Sequence, residues 1–196
     1  MTEKQFDAIA YFKQLTEENN TCRLYNFVAT TCSGPDTVQG VLQQFRTASN
    51  FIMVSDTVDS NTHSLGEGFF DRNVYTVWIL ASYKRDDMAD REEKLNICRY
   101  IFRQFLSRLL HDKEYQKFGD QLEYLNLNQV YSTELGRYSM NGCTGLYFML
   151  TSDEPTDLQY DESLWKKQYM NSSNTRRDGL RTWAPIGASA WSACAQ

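Results

Sequence analysis

At 196 residues, with 41% hydrophobic and 23% charged residues, the chain has the size and composition of a globular protein built around one buried core. Its net charge of −5 excludes tight wrapping of nucleic acid, which needs Lys and Arg to displace counterions, though not loose enclosure of a duplex. Aromatic residues are in excess, at 12 Tyr, 11 Phe and 4 Trp, a bias shared by Tyr-rich sheet cores and by protein interfaces.

In chain order, Thr2 with Gln5 three residues on forms a capping-box pattern, and Phe6, Ile9, Ala10, Phe12 and Leu15 then recur at helical spacing up to the polar Glu17–Asn20. Leu24–Val28 reads as a short strand. Ser33 is a candidate N-cap, with Pro35 in the first turn of a helix running to about Phe45. Phe51–Val54 opens a strand, and Val74–Tyr83 is the strongest strand pattern in the chain. Between them Asp59–Arg72, with Asn61, Gly66 and Gly68, reads as a long loop joining the two strands of a hairpin. Asp86 and Asp87 begin the dominant helix, to about His111. Along it Leu95, Cys98, Phe102, Phe105 and Leu109 make an apolar stripe that Ile101 and Leu106 widen. Leu122–Tyr131 and Gly145–Thr151 are two further strands, joined by Leu135–Gly142, and Asp153-Glu154-Pro155 ends the second. A short helix is expected within Asp161–Met170, before a polar and finally Trp-bearing stretch.

These elements predict an α+β fold: an antiparallel or mixed sheet of two hairpins packed on a long amphipathic helix, with an N-terminal helix and an extended C-terminal arm. The domain is expected to span 1–155 and the arm 156–196.

Chemistry is sparsely signalled. The two histidines, His63 and His111, have no nucleophile context such as a G-x-S-x-G elbow around them; His63 reads as a solvated loop residue and His111 as a partner of the helix dipole. Five cysteines (Cys22, Cys32, Cys98, Cys143, Cys194) have no C-x-x-C spacing and fit neither a disulfide framework nor a zinc site, so reduced, buried thiols are expected. The acids Asp86, Asp87 and Asp90 suit a helix start. Those from Asp153 to Glu162 suit a solvated face. Gly66-Glu67-Gly68 leads into a strand rather than a helix, and is no phosphate loop. The N-terminal MTEKQFDAIA mixes charges ahead of any apolar run, unlike a signal peptide, so the sequons at Asn19 and Asn171 read as chance matches. No stretch approaches the ~18 apolar residues of a membrane span. No cofactor, metal, catalytic residue or membrane partner is therefore expected.

What remains is surface. Val74–Tyr83 and Gly145–Thr151 are apolar on both faces, where a sheet solvated on one side would alternate. Either the N-terminal helices or a neighbouring subunit must cover the second face. In the arm, Arg176, Arg177 and Arg181 precede Trp183, Ile186 and Trp191, residue types that anchor interfaces. His63, Leu65, Phe69 and Phe70 are the candidate contacts of the long loop.

The block FFDRNVYTVWILASYKRDDMADREEKLNICRYIFRQFLSRLL, followed by strands and MNGCTGLYFMLTSDEP, resembles the tail-completion, tail-terminator and neck (head–tail connector) proteins of tailed bacteriophages. The likeness lies in the order and polarity of elements from Phe51 to Pro155, and the arm beyond is longer than that pattern. The resemblance implies a virion protein assembled in the host cytoplasm, without catalytic residues. Its partners would be itself, in a cyclic homo-oligomer, other neck or tail proteins, and DNA passing through a channel without sequence-specific binding. The alternatives are a cytosolic binding or accessory domain with a protein or small-molecule ligand at 59–72, and an enzyme with a sparse carboxylate site.

Overall fold

A computed structural model describes residues 6–33, 50–66, 68–84, 86–137 and 142–166, together with Val38 and Gly40. The chain divides into two units, Met1–Leu158 and Gln159–Gln196. The first is an α+β domain.

Helix α1 (Ala8–Glu18) is capped by Asp7, whose carboxylate accepts from the Ala10 N–H at 2.9 Å. The predicted cap at Thr2 lies outside the described residues, and the observed start is later because Asp7 supplies the acceptor. Asn19 turns extended and its side chain caps a second short helix, α2 (Asn20–Leu24). That helical turn takes Leu24 out of the predicted strand. The backbone then passes through Asn26 at φ 54° before strand β1 (Phe27–Cys32) begins.

Strands β2 (Asn50–Ser55) and β3 (Asp59–Leu65) pair in succession with the same partner, β4 (Gly68–Ser82). The pairing steps five residues from Val54 to Asp59 but only three from Val77 to Val74, so residues 55–58 bulge and the two strands act as one bent strand. The long loop predicted for Asp59–Arg72 is therefore a hairpin, with a tight turn at Gly66, φ 64°. Gly66 supplies the left-handed backbone that such a turn requires.

Helix α3 (Met88–Glu114) follows, with Asp87 as N-cap accepting from the Ala89 and Asp90 N–H groups. Leu95, Cys98, Ile101, Phe105 and Leu109 are buried along it. A 3-10 turn, Gly119–Leu122, takes Leu122 and shifts strand β5 to Leu125–Glu134. Strand β6 (Cys143–Thr156) continues through Pro155, which was expected to end it. Beyond Ser152 only β4 pairs with β6, and such an edge tolerates the missing proline N–H.

The sheet order is β1-β2-β4-β6-β5, with β3 against β4; β1 and β2 are parallel and the other pairs antiparallel. The two predicted hairpins thus merge into one mixed sheet through the β4–β6 pairing. On one face Ile52, Val77, Ile79, Leu146, Phe148 and Leu150 pack against Phe12 and Leu15 of α1 and Ile101 and Phe105 of α3. On the other, Phe51, Met53, Trp78 and Leu80 are buried with Cys32, Val38 and Leu135. The first helix thus shares its face with α3, and Val38, from the predicted second helix, packs on the opposite one. Both faces of the central strands are closed at this end of the sheet within the chain itself. No helix among the described residues is long and apolar enough to cross a membrane.

In the second unit the described residues form one 3-10 turn, Glu162–Leu164, capped by Asp161. That is shorter than the helix expected over 161–170, of which 167–170 lie outside the described residues. Tyr160 and Trp165 stack at 6.2 Å, and both are exposed.

Candidate functional site

Two features of the domain stand apart from its core. The first is the ribbon formed where β4 outruns β2. Its N-terminal half, Gly68–Val74, pairs with β3 on one side and with Thr151–Thr156 at the end of β6 on the other. Burial fades along it: Asn73 is enclosed, whereas Phe69 is 47% and Leu65 68% exposed. Phe69 lies opposite Ser64, and Leu65 opposite Gly68, so strand alternation puts these apolar side chains on opposite faces of the tip. One surface of the same domain cannot cover both.

The face carrying Leu65 also carries His63, Phe70, Arg72 and Asp153. Arg72 grips Asp153 in a fork, Nε to Oδ1 at 2.7 Å and Nη2 to Oδ2 at 3.2 Å. Asp153 in turn raises the pKa of the guanidinium. His63 leans on Phe70 with ring centroids 6.2 Å apart, and its Nε2 lies 4.0 Å from Asp153. The four residues predicted as loop contacts therefore share one ribbon, as strand residues rather than as a loop. The predicted arm contacts Arg176, Arg177, Arg181, Trp183, Ile186 and Trp191 lie outside the described residues.

The second feature surrounds Asp112, fully buried in the last turn of α3. A carboxylate there faces the negative end of the helix dipole and pays a desolvation penalty besides. Four donors offset both. Tyr11 Oη donates to Oδ2 at 3.0 Å and Arg108 Nε lies 2.8 Å from both oxygens. His111 Nδ1 and Lys117 Nζ approach Oδ1 at 3.3 and 3.4 Å. Burial acts against the charge, yet the hydrogen bonds from Arg108, His111 and Tyr11 hold the carboxyl below the usual carboxylate range. Burial and the neighbouring Asp112 carboxylate push the Tyr11 phenol far above its ordinary value. The sequence reading missed this cluster. An acid in the final turn of a helix, against the dipole, was the available signal.

Beside the cluster a groove of about 630 Å³ opens between α1–α2 and α3, lined among others by Arg103, Gln104, Ser107, Arg108, His111 and Lys117. His111, expected only to face the helix dipole, also packs against Tyr115, the rings tilted with centroids 4.6 Å apart.

Thiol chemistry finds no footing in the described core. Cys22, Cys32, Cys98 and Cys143 are free and buried, and burial pushes Cys22 and Cys98 up to about 12 and Cys32 and Cys143 up to about 11. They stay protonated near neutrality, in the unreactive form. Among the described residues no group of three or more His, Cys, Asp or Glu is placed to hold a metal ion. Asp87 and Asp90 are occupied as helix cap and as acceptor for the Lys84 N–H. No model of a known protein family matches the chain, and no curated protein matches it.

Proposed function

We propose that the protein is a structural subunit of a closed homo-oligomeric ring at the head–tail joint or tail end of a tailed bacteriophage, where it surrounds DNA without gripping it. The observation that carries this reading is the ribbon tip, with Leu65 and Phe69 exposed on opposite faces. Such a tip is suited to insertion between surfaces of a neighbour. A ribbon on one side of a subunit reaching a different surface of the next is a heterologous contact, and repetition by a rotation that closes gives a ring. The likeness of element order over Phe51–Pro155 supports the same reading. So does the negative net charge, which suits passage of DNA rather than its capture. In this reading the protein catalyses nothing, and its partners are further copies of itself and other neck or tail proteins.

The ring reading predicts that Leu65→Asp with Phe69→Asp abolishes assembly while leaving the fold intact. Both side chains are exposed in the single chain, so the melting temperature should shift little. Light scattering coupled to size exclusion should show a multimer for the wild-type chain and a monomer for the double variant. A wild-type chain that stays monomeric at the highest attainable concentration, or a variant that assembles unchanged, would overturn the reading. A ligand-binding accessory domain is the second reading, and the polar groove beside Asp112 is the observation that favours it.

A further inference from the structure

We propose that the groove between α1–α2 and α3 binds a phosphate group. The hydrogen-bonding capacity left over inside it is unbalanced. Glu18 has both oxygens engaged, Oε1 by Gln14 at 2.7 Å and Oε2 by Arg108 at 3.2 Å. Both oxygens of Asp112 are engaged by Tyr11, Arg108, His111 and Lys117. Asn19 uses its oxygen to cap α2 and donates its Nδ2 to Gln104 Oε1 at 2.9 Å. The Gln104 amide is thereby oriented, its oxygen occupied and its two N–H groups left unpartnered among the described residues.

The other free groups are also mainly donors. The Arg103 guanidinium and the Ser107 hydroxyl have no partner among the described residues, and they sit on the same stripe of α3 as Gln104. Lys117 retains two of its three protons beyond its contact with Asp112. A cleft whose acidic oxygens are filled, and which still offers a guanidinium, an ammonium, an amide and a hydroxyl, is complementary to an oxyanion. These donors outnumber the two oxygens of a single carboxylate and suit the three or four of a phosphate. The composition of the chain does not create the site by default, because the protein as a whole is acidic. The assignment is independent of the ring reading, since it rests on α1–α2 and α3 rather than on the ribbon.

The test is a titration of the full chain with inorganic phosphate at fixed ionic strength, followed by thermal stability and amide chemical shifts. The wild-type chain should show saturable stabilisation, with shifts confined to the two walls of the groove, residues around 15–20 and 103–117. Arg103→Ala should weaken the apparent affinity about tenfold, and Ser107→Ala, which changes no charge, about threefold. Arg23→Ala, an exposed charge of α2 outside the groove, serves as the control and should change nothing. A response that does not saturate, or that Arg23→Ala reduces as much as Arg103→Ala, would overturn the assignment. A second arm distinguishes the sources of phosphate. A single-stranded oligonucleotide binding through Arg103 far more tightly than inorganic phosphate, with steep loss in salt, identifies a nucleic-acid backbone. Equal affinity for the strand and for a mononucleotide identifies a free phosphate group.

Discussion

Gly145→Ala is expected to cost at least about 3 kcal/mol of folding stability, enough to unfold a large fraction of a marginally stable domain at physiological temperature. Gly145 lies in β6 opposite Leu80 at φ 151°, and an added Cβ would stand 1.9 Å from the Ile79 carbonyl oxygen. That neighbour is backbone of the central strand, so no side chain can swing aside. Relief requires β4 and β6 to part where both sheet faces are packed. Urea titration should show a much lower midpoint than wild type. Gly40→Ala is the control: Gly40 is helical with open space around its Cβ position, and alanine there should be neutral or stabilising by up to about 1 kcal/mol. A Gly145→Ala protein as stable as wild type would show that the two strands are not this close.

Asp112→Ala should destabilise the domain by about 3–5 kcal/mol, because it strips the shared acceptor from Tyr11, Arg108, His111 and Lys117 and leaves cations facing one another beside the core. Asp112→Asn retains one acceptor oxygen and should lose less. The wild-type carboxyl is held below its unfolded value of about 3.9, so its contribution is present above that pH and disappears as pH falls through the depressed folded value. Tyr11 acts at the other limb. Its folded pKa is raised above the unfolded value near 10, so the stability it contributes is complete below pH ~10 and declines as pH rises further. Stability measured against pH should therefore fall at both extremes in wild type. The acid limb should be shallower in Asp112→Ala and the alkaline limb shallower in Tyr11→Phe. Unchanged limbs would remove the cluster from the account of stability.

Physical reasons separate the elements that were readable from those that were not. Helix α3 announced itself because Leu95, Cys98, Phe105 and Leu109 repeat at helical spacing behind an Asp87 cap. The apolar half of β4 was equally plain. Strand β3 was invisible: Asp59-Ser-Asn-Thr-His-Ser has no apolar face, since neither side of the ribbon packs on a core, and its register comes from backbone bonds to β4. The parallel pairing of β1 with β2 leaves no local signature, because the strands are joined through a crossover rather than a turn. Of the candidate site, the exposed pair Leu65 and Phe69 could be named from the sequence but not placed on opposite faces of a hairpin. The Asp112 cluster needed Tyr11 brought in from a distant helix, and no spacing rule anticipates that.

The position of β4 at the middle of the sheet also governs how the chain acquires its structure during synthesis. Val77 must find Phe148, roughly 70 residues further along, before its strand has a partner on the β6 side. At ~5–20 residues per second, translation leaves an interval on the order of ten seconds in which a strand apolar on both faces has only β2 and β3 beside it. A core assembled from such distant pairings folds slowly compared with a helical bundle of the same size. Meanwhile the unpaired edge of β4 is open to other nascent chains. A chaperone that shields the β4 edge during synthesis should therefore raise the yield of folded protein, whereas slower synthesis prolongs the exposed interval.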